Sequence, residues 1–291
     1  MNSNQPVVLI SGCSSGIGLY AAQFMQQHGW QVIATARKND HVLYLQSLGL
    51  TALQMDVADS ESIAFCVAAT LALTGGRLDA VFNNAGFGVP GAVEDLSRAA
   101  MRHQFETNVF GAIELTNAVL PLFRRQGHGR IVFNSSVLGF AAMPYRGAYN
   151  ASKFALEGFA DTLRQELIGT QIKVSLIEPG PIVSRFRANA FEEFKRWINS
   201  EASFHAPAYA AMARRLLKSG PPAPFTLPES AVAEVLLAAL TSARPRARYR
   251  VTKPTQWFWY LKRILPSAWL DRVLLKASGD EPGVAYGRRS E

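Results

Sequence analysis

The chain has 291 residues, of which 48% are hydrophobic and 18% are charged, and its formal net charge is +8. This composition excludes a disordered chain, which would contain too few apolar residues to build a core. The basic residues are scattered, apart from a cluster that we expect to form a solvated face: Arg244, Arg246, Arg248 and Arg250. No nucleic-acid-binding motif is present, so we expect no nucleic-acid partner despite the positive charge.

The N-terminus carries no cationic and apolar regions of the kind that form a secretory signal. No run of residues approaches the roughly 18 apolar positions of a membrane span. We therefore expect a cytoplasmic protein, and we expect no metal site.

Short β-branched segments alternate with longer helical segments through the first 180 residues. We predict strands over residues 7–11, 31–35, 52–55, 78–83, 131–135 and 173–177, and helices over residues 16–28, 60–73, 97–125 and 147–168. The strands are continuous apolar runs, which is typical of strands buried on both faces. The pattern predicts an α/β fold, with one Rossmann-like, doubly wound parallel sheet in a single domain over residues 1–291.

The alternation ends after Pro179. We predict a helical substrate lid over residues 186–228, then a helix over residues 229–241 and a last strand over residues 249–252. The remaining segment, residues 254–291, is predicted to form a C-terminal helical tail that is amphipathic and rich in aromatic residues.

A glycine-rich segment lies between the first predicted strand and the first predicted helix. Glycines there allow the backbone to turn sharply and to approach a pyrophosphate, while the helix N-terminus offers N–H donors. An ordinary turn is the alternative, but the position at a strand-to-helix junction favours dinucleotide binding by Gly12, Ser14, Ser15, Gly16, Ile17 and Gly18.

The second predicted strand is followed by Arg37 and Lys38. An acidic residue at this position would bind the ribose hydroxyl of NAD, whereas an arginine accommodates the 2′-phosphate of NADP. The acid is absent, and a guanidinium can bind phosphate through two hydrogen bonds. The sequence therefore predicts NADP(H) as cofactor, although an exposed basic pair is the simpler interpretation.

Tyr149 and Lys153 are four residues apart on a predicted helix and therefore share one face. An ammonium beside a phenol favours the phenolate, so we expect the pKa of Tyr149 to be lowered from its usual value near 10. Such a tyrosine can act as a general acid or base. An isolated pair of this kind could equally be part of an amphipathic helix surface.

These motifs together resemble those of the short-chain dehydrogenase/reductase family, with Ser11 at the position of the usual threonine in its glycine motif. The similarity is greatest to the branch that holds 17β-hydroxysteroid and retinol dehydrogenases and similar bacterial aldehyde reductases. It implies a catalytic set of Asn108, Ser136, Tyr149 and Lys153. By analogy, Ser136 orients the substrate oxygen, Tyr149 transfers the proton, Lys153 binds the nicotinamide ribose and Asn108 holds a water.

The same resemblance implies further cofactor contacts at the ends of the later strands. Asp56 and Val57 would flank the adenine, and Tyr149 and Lys153 would contact the cofactor as well. The other implied contacts are Asn83, Ala85, Gly86, Pro179, Gly180, Ile182 and Ser184. A structural turn is an alternative role for the neighbouring Asn84.

The predicted activity is the interconversion of a carbonyl and an alcohol on a lipophilic substrate, which fits an apolar pocket with few polar groups. The candidate pocket residues are Phe87, Phe140, Met143, Phe186 and Phe191, although such aromatics could simply pack the lid onto the sheet. A catalytically silent NADP(H)-binding regulator is a second hypothesis. We also expect a homo-oligomer, a dimer or tetramer, and a weak contact of the aromatic tail with a membrane surface.

Overall fold

The computed structural model describes residues 5–218, 220–221 and 223–279. Its centre is a seven-stranded parallel sheet in the order β3-β2-β1-β4-β5-β6-β7. The order starts in the middle and extends to both edges, which confirms the doubly wound topology. The strands are β1 Val7–Ile10, β2 Gln31–Ala36, β3 Thr51–Gln54, β4 Ala80–Asn83, β5 His128–Asn134, β6 Gln171–Glu178 and β7 Arg248–Arg250.

Helices connect the strands and cover both faces of the sheet. They are α1 Gly16–Gln27, α2 Asn39–Ser47, α3 Ser60–Leu73, α4 Arg98–Phe105, α5 Gly111–Gln126, α6 Gly147–Glu166, α7 Phe186–Trp197, α8 Ala206–Leu217, α9 Ser230–Thr241, α10 Lys253–Ile264 and α11 Ser267–Ala277. A π-helical turn, Glu106–Phe110, joins α4 to α5. The helix predicted over residues 97–125 is therefore interrupted, and α2 is an element that the sequence pattern did not reveal.

The hydrophobic core is divided into two layers by the sheet. Alternate residues of each strand point to opposite faces, as the period of a strand requires. Leu9 and Phe133 face the layer that contains Leu115 of α5 and Leu156 of α6. Val8, Ile10 and Phe82 face the layer formed by α1, α2 and α9, in which Met25, Leu45 and Leu236 are buried.

The predicted lid contains two helices, α7 and α8, instead of one irregular helical run. They pack on each other through Ala190, Phe194, Tyr209 and Met212. The lid is anchored where it leaves and re-enters the domain: Val183 N donates to Leu227 O at 3.0 Å, and Leu227 N donates to Pro181 O at 3.1 Å. Ser219 and Pro222 of the predicted lid lie outside the described residues.

Two arginines of the predicted solvated face are not solvated, so that prediction is wrong for Arg248 and Arg250. The Arg248 guanidinium lies 3.0 Å from the Glu157 carboxylate, 2.6 Å from that of Asp161 and 3.1 Å from that of Glu178. Arg250 Nε lies 3.1 Å from Glu178, whose side chain is 1% exposed. The pairing of β6 with β7 brings these charges together, whereas Arg244 and Arg246 are exposed as predicted.

The C-terminal tail forms α10 and α11, which lie against the loop after β5. Leu274 and Phe258 pack with Val137 and Ala141 there. Residues 280–291 of the predicted tail lie outside the described residues. Within the parts of the chain that the structure describes, no helix combines the length and the hydropathy needed to cross a membrane.

Candidate active site

The loop between β1 and α1 and the first turn of α1 lie so close to neighbouring backbone that two positions require glycine. Gly12 has φ +73°, and a Cβ there would lie 2.8 Å from Ala85 Cα. A Cβ on Gly18 would lie 2.2 Å from Gly12 O. The backbone therefore forms an open cradle, which a larger residue at either position would fill.

The N-terminus of α1 opens onto this cradle. The first turn of the helix contains no acidic residue, and the side chain of the N-cap residue, Ser15, makes no capping hydrogen bond. The first backbone N–H groups, which have no intrahelical partner, are thus available to a phosphate. Ser184 faces the same loop, since a Cβ on Gly16 would lie 3.2 Å from Ser184 Cβ. These features fit the pyrophosphate of a dinucleotide.

The side chain of Asn84, after β4, forms hydrogen bonds with residues at the ends of β1 and β5. Its Nδ2 donates to Ser11 O at 2.9 Å and to Gly12 O at 3.1 Å. Its Oδ1 accepts a hydrogen bond of 2.9 Å from Asn134 Nδ2. Ser11 Oγ accepts from the backbone N of Asn84 and of Ala85, both at 3.0 Å. The side chain of Asn84 is therefore committed to the structure of the loop, which was the alternative considered for it.

Arg37 and Lys38 are exposed at the carboxyl end of β2, beside the glycine loop at the end of β1. Asp56 and Val57 follow β3, the next strand outward. Asp56 Oδ1 accepts from Ala58 N at 3.0 Å, which leaves its second carboxylate oxygen for a ligand. The structure thus brings these four residues together at the carboxyl ends of two adjacent strands, β2 and β3.

The remaining predicted cofactor residues have different neighbours, and some of them contact other parts of the fold. Asn83 Nδ2 is buried and donates to Thr116 Oγ1 of α5 at 2.9 Å, so this side chain serves the packing of β4 on α5. Gly180 lies against the start of α10, where a Cβ would be 2.1 Å from Thr252 Oγ1. Ile182, which follows Pro179 and Gly180 after β6, is buried at the lid anchor beside Leu227.

Tyr149 and Lys153 lie on the first turns of α6, beside the carboxyl end of β5. Lys153 is 4% exposed, and its Nζ donates to Asn134 O at 2.6 Å and lies 5.7 Å from the centroid of the Tyr149 ring. Ser136 follows β5, and its Oγ accepts from Leu138 N at 3.1 Å. The Ser136 hydroxyl also interacts with the Tyr149 phenol, whose pKa it acts to lower.

Asn108 lies at the centre of the π-helical turn, which aims its side chain towards α6. Its Oδ1 accepts from Phe87 N at 3.1 Å, and its Nδ2 donates to Phe87 O at 2.9 Å and to Ser152 Oγ at 3.1 Å. A Cβ on Gly86 would lie 3.2 Å from Asn108 Oδ1 and 3.7 Å from Lys153 Nζ, so Gly86 lies between the two. All four predicted catalytic residues are thus in one neighbourhood.

The electrostatics of the pair differ from the sequence prediction. Burial raises the pKa of Tyr149 to about 12, with the Ser136 hydroxyl acting in the opposite direction. The predicted lowering is therefore wrong for this structure, because burial of the phenol has the largest effect on its pKa. Burial also lowers the pKa of Lys153 to about 8, against the negative charge of Glu157, which acts to raise it. Both groups are protonated at neutral pH.

Glu157, one helical turn beyond Lys153, was not predicted to belong to the site. Its carboxylate is bound by Arg248, and a Cβ on Gly139 would lie 3.3 Å from its Oε1. Burial raises the pKa of Glu157, while Ser135 and Arg248 act to lower it. The spacing Tyr-x-x-x-Lys-x-x-x-Glu was the available signal, but an acid four residues after a lysine is common on helix surfaces.

The five predicted substrate residues do not all reach the same place. The Phe186 ring lies edge-on to the Tyr149 ring, with 5.2 Å between centroids. Phe140 and Met143 pack beneath the C-terminal helices. Phe191 is stacked on Phe194 inside the lid, and Phe87 is packed against His103. Phe186 is therefore the predicted substrate residue whose ring lies against Tyr149, and Phe191 fits the interpretation as lid packing.

Comparison with known proteins supports this geometry. The family model described as short chain dehydrogenase matches residues 6–195, which include the glycine loop and the tyrosine–lysine pair. The chain belongs to the short-chain dehydrogenase/reductase family. The sequence resemblance is thereby confirmed, and the protein is an oxidoreductase of that family.

Relatives match over most of this oxidoreductase. The uncharacterized oxidoreductase YbbO of Escherichia coli K12 is 43% identical, over 93% of this chain and 94% of that protein. Bovine retinol dehydrogenase 8 is 38% identical, over 89% of this chain and 86% of that protein. A solved short-chain dehydrogenase from Streptomyces avermitilis superposes with a TM-score of 0.73 at 27% identity, covering 99% of this chain and 100% of that one.

Proposed function

We propose that this oxidoreductase is an NADP(H)-dependent enzyme that interconverts a carbonyl and an alcohol on a lipophilic substrate. The observation that carries the proposal is the meeting of Ser136, Tyr149 and Lys153 at the carboxyl end of β5, near the phosphate cradle. The bound nicotinamide supplies or accepts the hydride. The alternative, a silent NADP(H)-binding regulator, has less support because the proton donor and its lysine are both present.

The protein's own residues move the proton and position the substrate. The Ser136 hydroxyl, which also faces the Tyr149 phenol, can donate a hydrogen bond to a substrate carbonyl oxygen. Tyr149, protonated at neutral pH, then serves as the general acid in reduction. Lys153 can replace that proton, because its pKa of about 8 is close to neutral pH. Asn108 fixes the loop that carries Gly86 beside Lys153.

Arg37 is our proposed determinant of the NADP(H) preference. We expect Arg37→Ala to weaken NADPH binding by tenfold or more and to spare NADH, because a charge-assisted hydrogen bond contributes about 1.5–3 kcal/mol. Titration of both cofactors by fluorescence measures this. Arg98→Ala, which removes another exposed arginine, should change neither affinity. Equal losses for NADPH and NADH in Arg37→Ala would refute the assignment.

The substrate class is tested by a series of straight-chain aldehydes with NADPH. Each added CH₂ that enters an apolar pocket contributes up to about 0.8 kcal/mol, so kcat/KM should rise severalfold along the series until the pocket is full. Phe186→Ala should flatten this rise, because the ring lies beside Tyr149. Phe204→Ala, at a lid aromatic that is 74% exposed, is the matched control. A preference for short charged carbonyls would contradict a lipophilic substrate.

The pH profile of reduction tests the role of Lys153. We expect kcat/KM to be level below pH 8 and to fall above it, because Lys153 loses its proton near a pKa of about 8. Glu157→Gln should move the fall to lower pH, since it removes the charge that raises this pKa. Asp161→Asn removes another carboxylate bound to Arg248 and should leave the profile in place. Identical shifts in both variants would show that the ion-pair network, rather than Glu157, is responsible.

We also propose a cytoplasmic location and a dimer or tetramer as the working form. Both proposals are supported by the family membership alone, and size-exclusion chromatography with light scattering measures the second.

A further inference from the structure

Helices α10 and α11 carry large apolar side chains on their exposed outer face as well as on their inner face. The inner face is apolar and packs on the domain: Leu274 is 4% exposed, and Phe258 and Leu270 lie beside it against Val137 and Ala141. The outer face of a surface helix is normally polar. Here it carries large apolar side chains with exposures of 44–72%: Trp257, Tyr260, Ile264, Trp269 and Leu275. We call this outer face the tail surface.

The tail surface continues beyond the two helices at one end. Phe225, in the segment that returns from the lid, is 51% exposed, and its ring lies edge-on to Trp257 with 5.1 Å between centroids. Tryptophan and tyrosine combine an apolar ring with a polar group, which suits them to the boundary between water and lipid headgroups. Ile264 and Leu275 have no such polar group, so leaving water for an apolar phase lowers the free energy of their side chains.

Basic residues are interspersed with these apolar side chains. Residues 253–277 contain one acidic residue, Asp271, and five basic ones: Lys253, Lys262, Arg263, Arg272 and Lys276. The Arg272 guanidinium lies 5.9 Å from the Trp269 ring, and the Arg263 guanidinium lies 3.6 Å from the Trp259 ring. A helix with aromatic and aliphatic side chains and an excess of lysine and arginine matches the composition of helices that bind in the interface of anionic membranes.

We propose that the tail surface docks the protein on the surface of a bilayer that contains anionic lipid. The excess of basic residues on the tail surface favours this partner over a second copy of the chain. Two copies placed face to face would bring like charges together, which is unfavourable. An anionic bilayer instead neutralises the basic residues and accepts the exposed apolar side chains.

The position of the tail surface gives docking a consequence for the candidate active site, and this step rests on the proposed function. The inner face of the same helices packs on Phe140 and Met143, in the loop that begins at Ser136. Lys262 Nζ also donates to Phe140 O at 2.6 Å. The loop that begins at Ser136 and the docking surface are thus on opposite sides of one helix pair. A lipophilic substrate dissolved in the bilayer would reach the protein beside this loop.

The test is sedimentation of the full chain with vesicles, with and without an anionic component. We expect binding to vesicles of phosphatidylcholine and phosphatidylglycerol and much weaker binding to phosphatidylcholine alone. The double variant Ile264→Ser with Trp269→Ser should lose more than about tenfold in partition coefficient, since each side chain buries apolar area. Lys276→Gln should weaken binding by about fivefold, because one basic residue near an anionic surface contributes roughly 1 kcal/mol.

Matched controls are available elsewhere on the surface. Phe65→Ser removes an aromatic residue of α3 that is 74% exposed, and Arg125→Gln removes an exposed arginine of α5. Both should bind vesicles as the unchanged protein does. Equal binding to the two kinds of vesicle, or equal loss in the controls and the tail variants, would overturn the proposal. So would a tail-dependent change in oligomeric mass without vesicle binding, which would make a second copy the partner.

Two further measurements separate this proposal from the proposed function. Circular dichroism should be unchanged in the tail variants, because Ile264 and Trp269 are 72% and 61% exposed. Turnover of a short, water-soluble aldehyde with NADPH should also be unchanged in those variants. Vesicle binding without any turnover would support the docking surface and refute the proposed function, and turnover without vesicle binding would do the reverse.

Discussion

Replacing Tyr149 by phenylalanine should reduce kcat/KM for aldehyde reduction by about 10²–10⁴, which is the usual contribution of general acid–base catalysis. The ring would still pack edge-on against Phe186, but the proton donor would be gone. Cofactor affinity should change little, since the cradle formed by Gly12, Gly18 and the N-terminus of α1 is untouched. Steady-state kinetics together with NADPH titration measure both effects.

Tyr44→Phe is the matched control, because it removes the hydroxyl of a tyrosine on α2 that is 48% exposed. It should retain full activity. Turnover near the original rate in Tyr149→Phe would remove Tyr149 from the mechanism. NADPH binding without turnover in the unchanged protein would instead favour the silent-regulator hypothesis.

Replacing Arg248 by methionine should lower the free energy of unfolding by about 3–5 kcal/mol, the usual effect of removing one partner from a buried ion pair. Arg248 lies between the carboxylates of Glu157, Asp161 and Glu178, and Glu178 is almost completely buried. The variant would remove the arginine that pairs with the buried Glu157 carboxylate and would leave Glu178 paired with Arg250 alone. Urea denaturation followed by circular dichroism measures the loss.

The pH dependence identifies the cause of this destabilisation. Burial raises the pKa of Glu178 from 4.5 to about 7, and burial also raises the pKa of Glu157. A carboxyl with a raised pKa in the folded state lowers stability as pH rises from about 4.5 to 7. The Arg248→Met loss should therefore be smaller at pH 5, where the Glu178 carboxyl holds a proton, than at pH 8.

Arg164→Met provides the control, since Arg164 also pairs with Asp161, at 3.0 Å, but is 37% exposed. An exposed pair contributes about 0–1 kcal/mol, so this variant should unfold nearly as the original protein does. Similar losses in the two variants, or a loss in Arg248→Met that does not vary with pH, would argue against the buried charges as the cause.

The elements that could be predicted from the sequence are those with local signals. The continuous apolar strands, the glycine loop and the Tyr149–Lys153 spacing each lie within a few residues, and the structure places them as predicted. The interruption at Glu106–Phe110 has no such local pattern, and only the family resemblance, which implies a helix-kinking asparagine at Asn108, indicates it. The hydrogen bonds of the Asn108 side chain to Phe87 and Ser152 could not be predicted in this way.

Long-range pairing explains the other errors. Arg248 is 91 residues from Glu157, so nothing near Arg248 in the sequence distinguishes it from the exposed Arg244 and Arg246. The shift of the Tyr149 pKa depends on how completely the fold removes water, which spacing along a helix does not reveal. The orientation of Phe191 likewise depends on the second lid helix, which supplies Tyr209 and Met212 to the cluster it joins.

The two hydrogen bonds between the segment after β6 and Leu227 affect how freely the length of the predicted lid can vary. They hold the two ends of the predicted lid together. The pairing of β6 with β7 in the sheet does not involve the lid residues. The free energy of closing such a loop changes slowly with its length. The segment between the anchors can therefore become longer or shorter at little cost in free energy and without moving Tyr149 or Lys153.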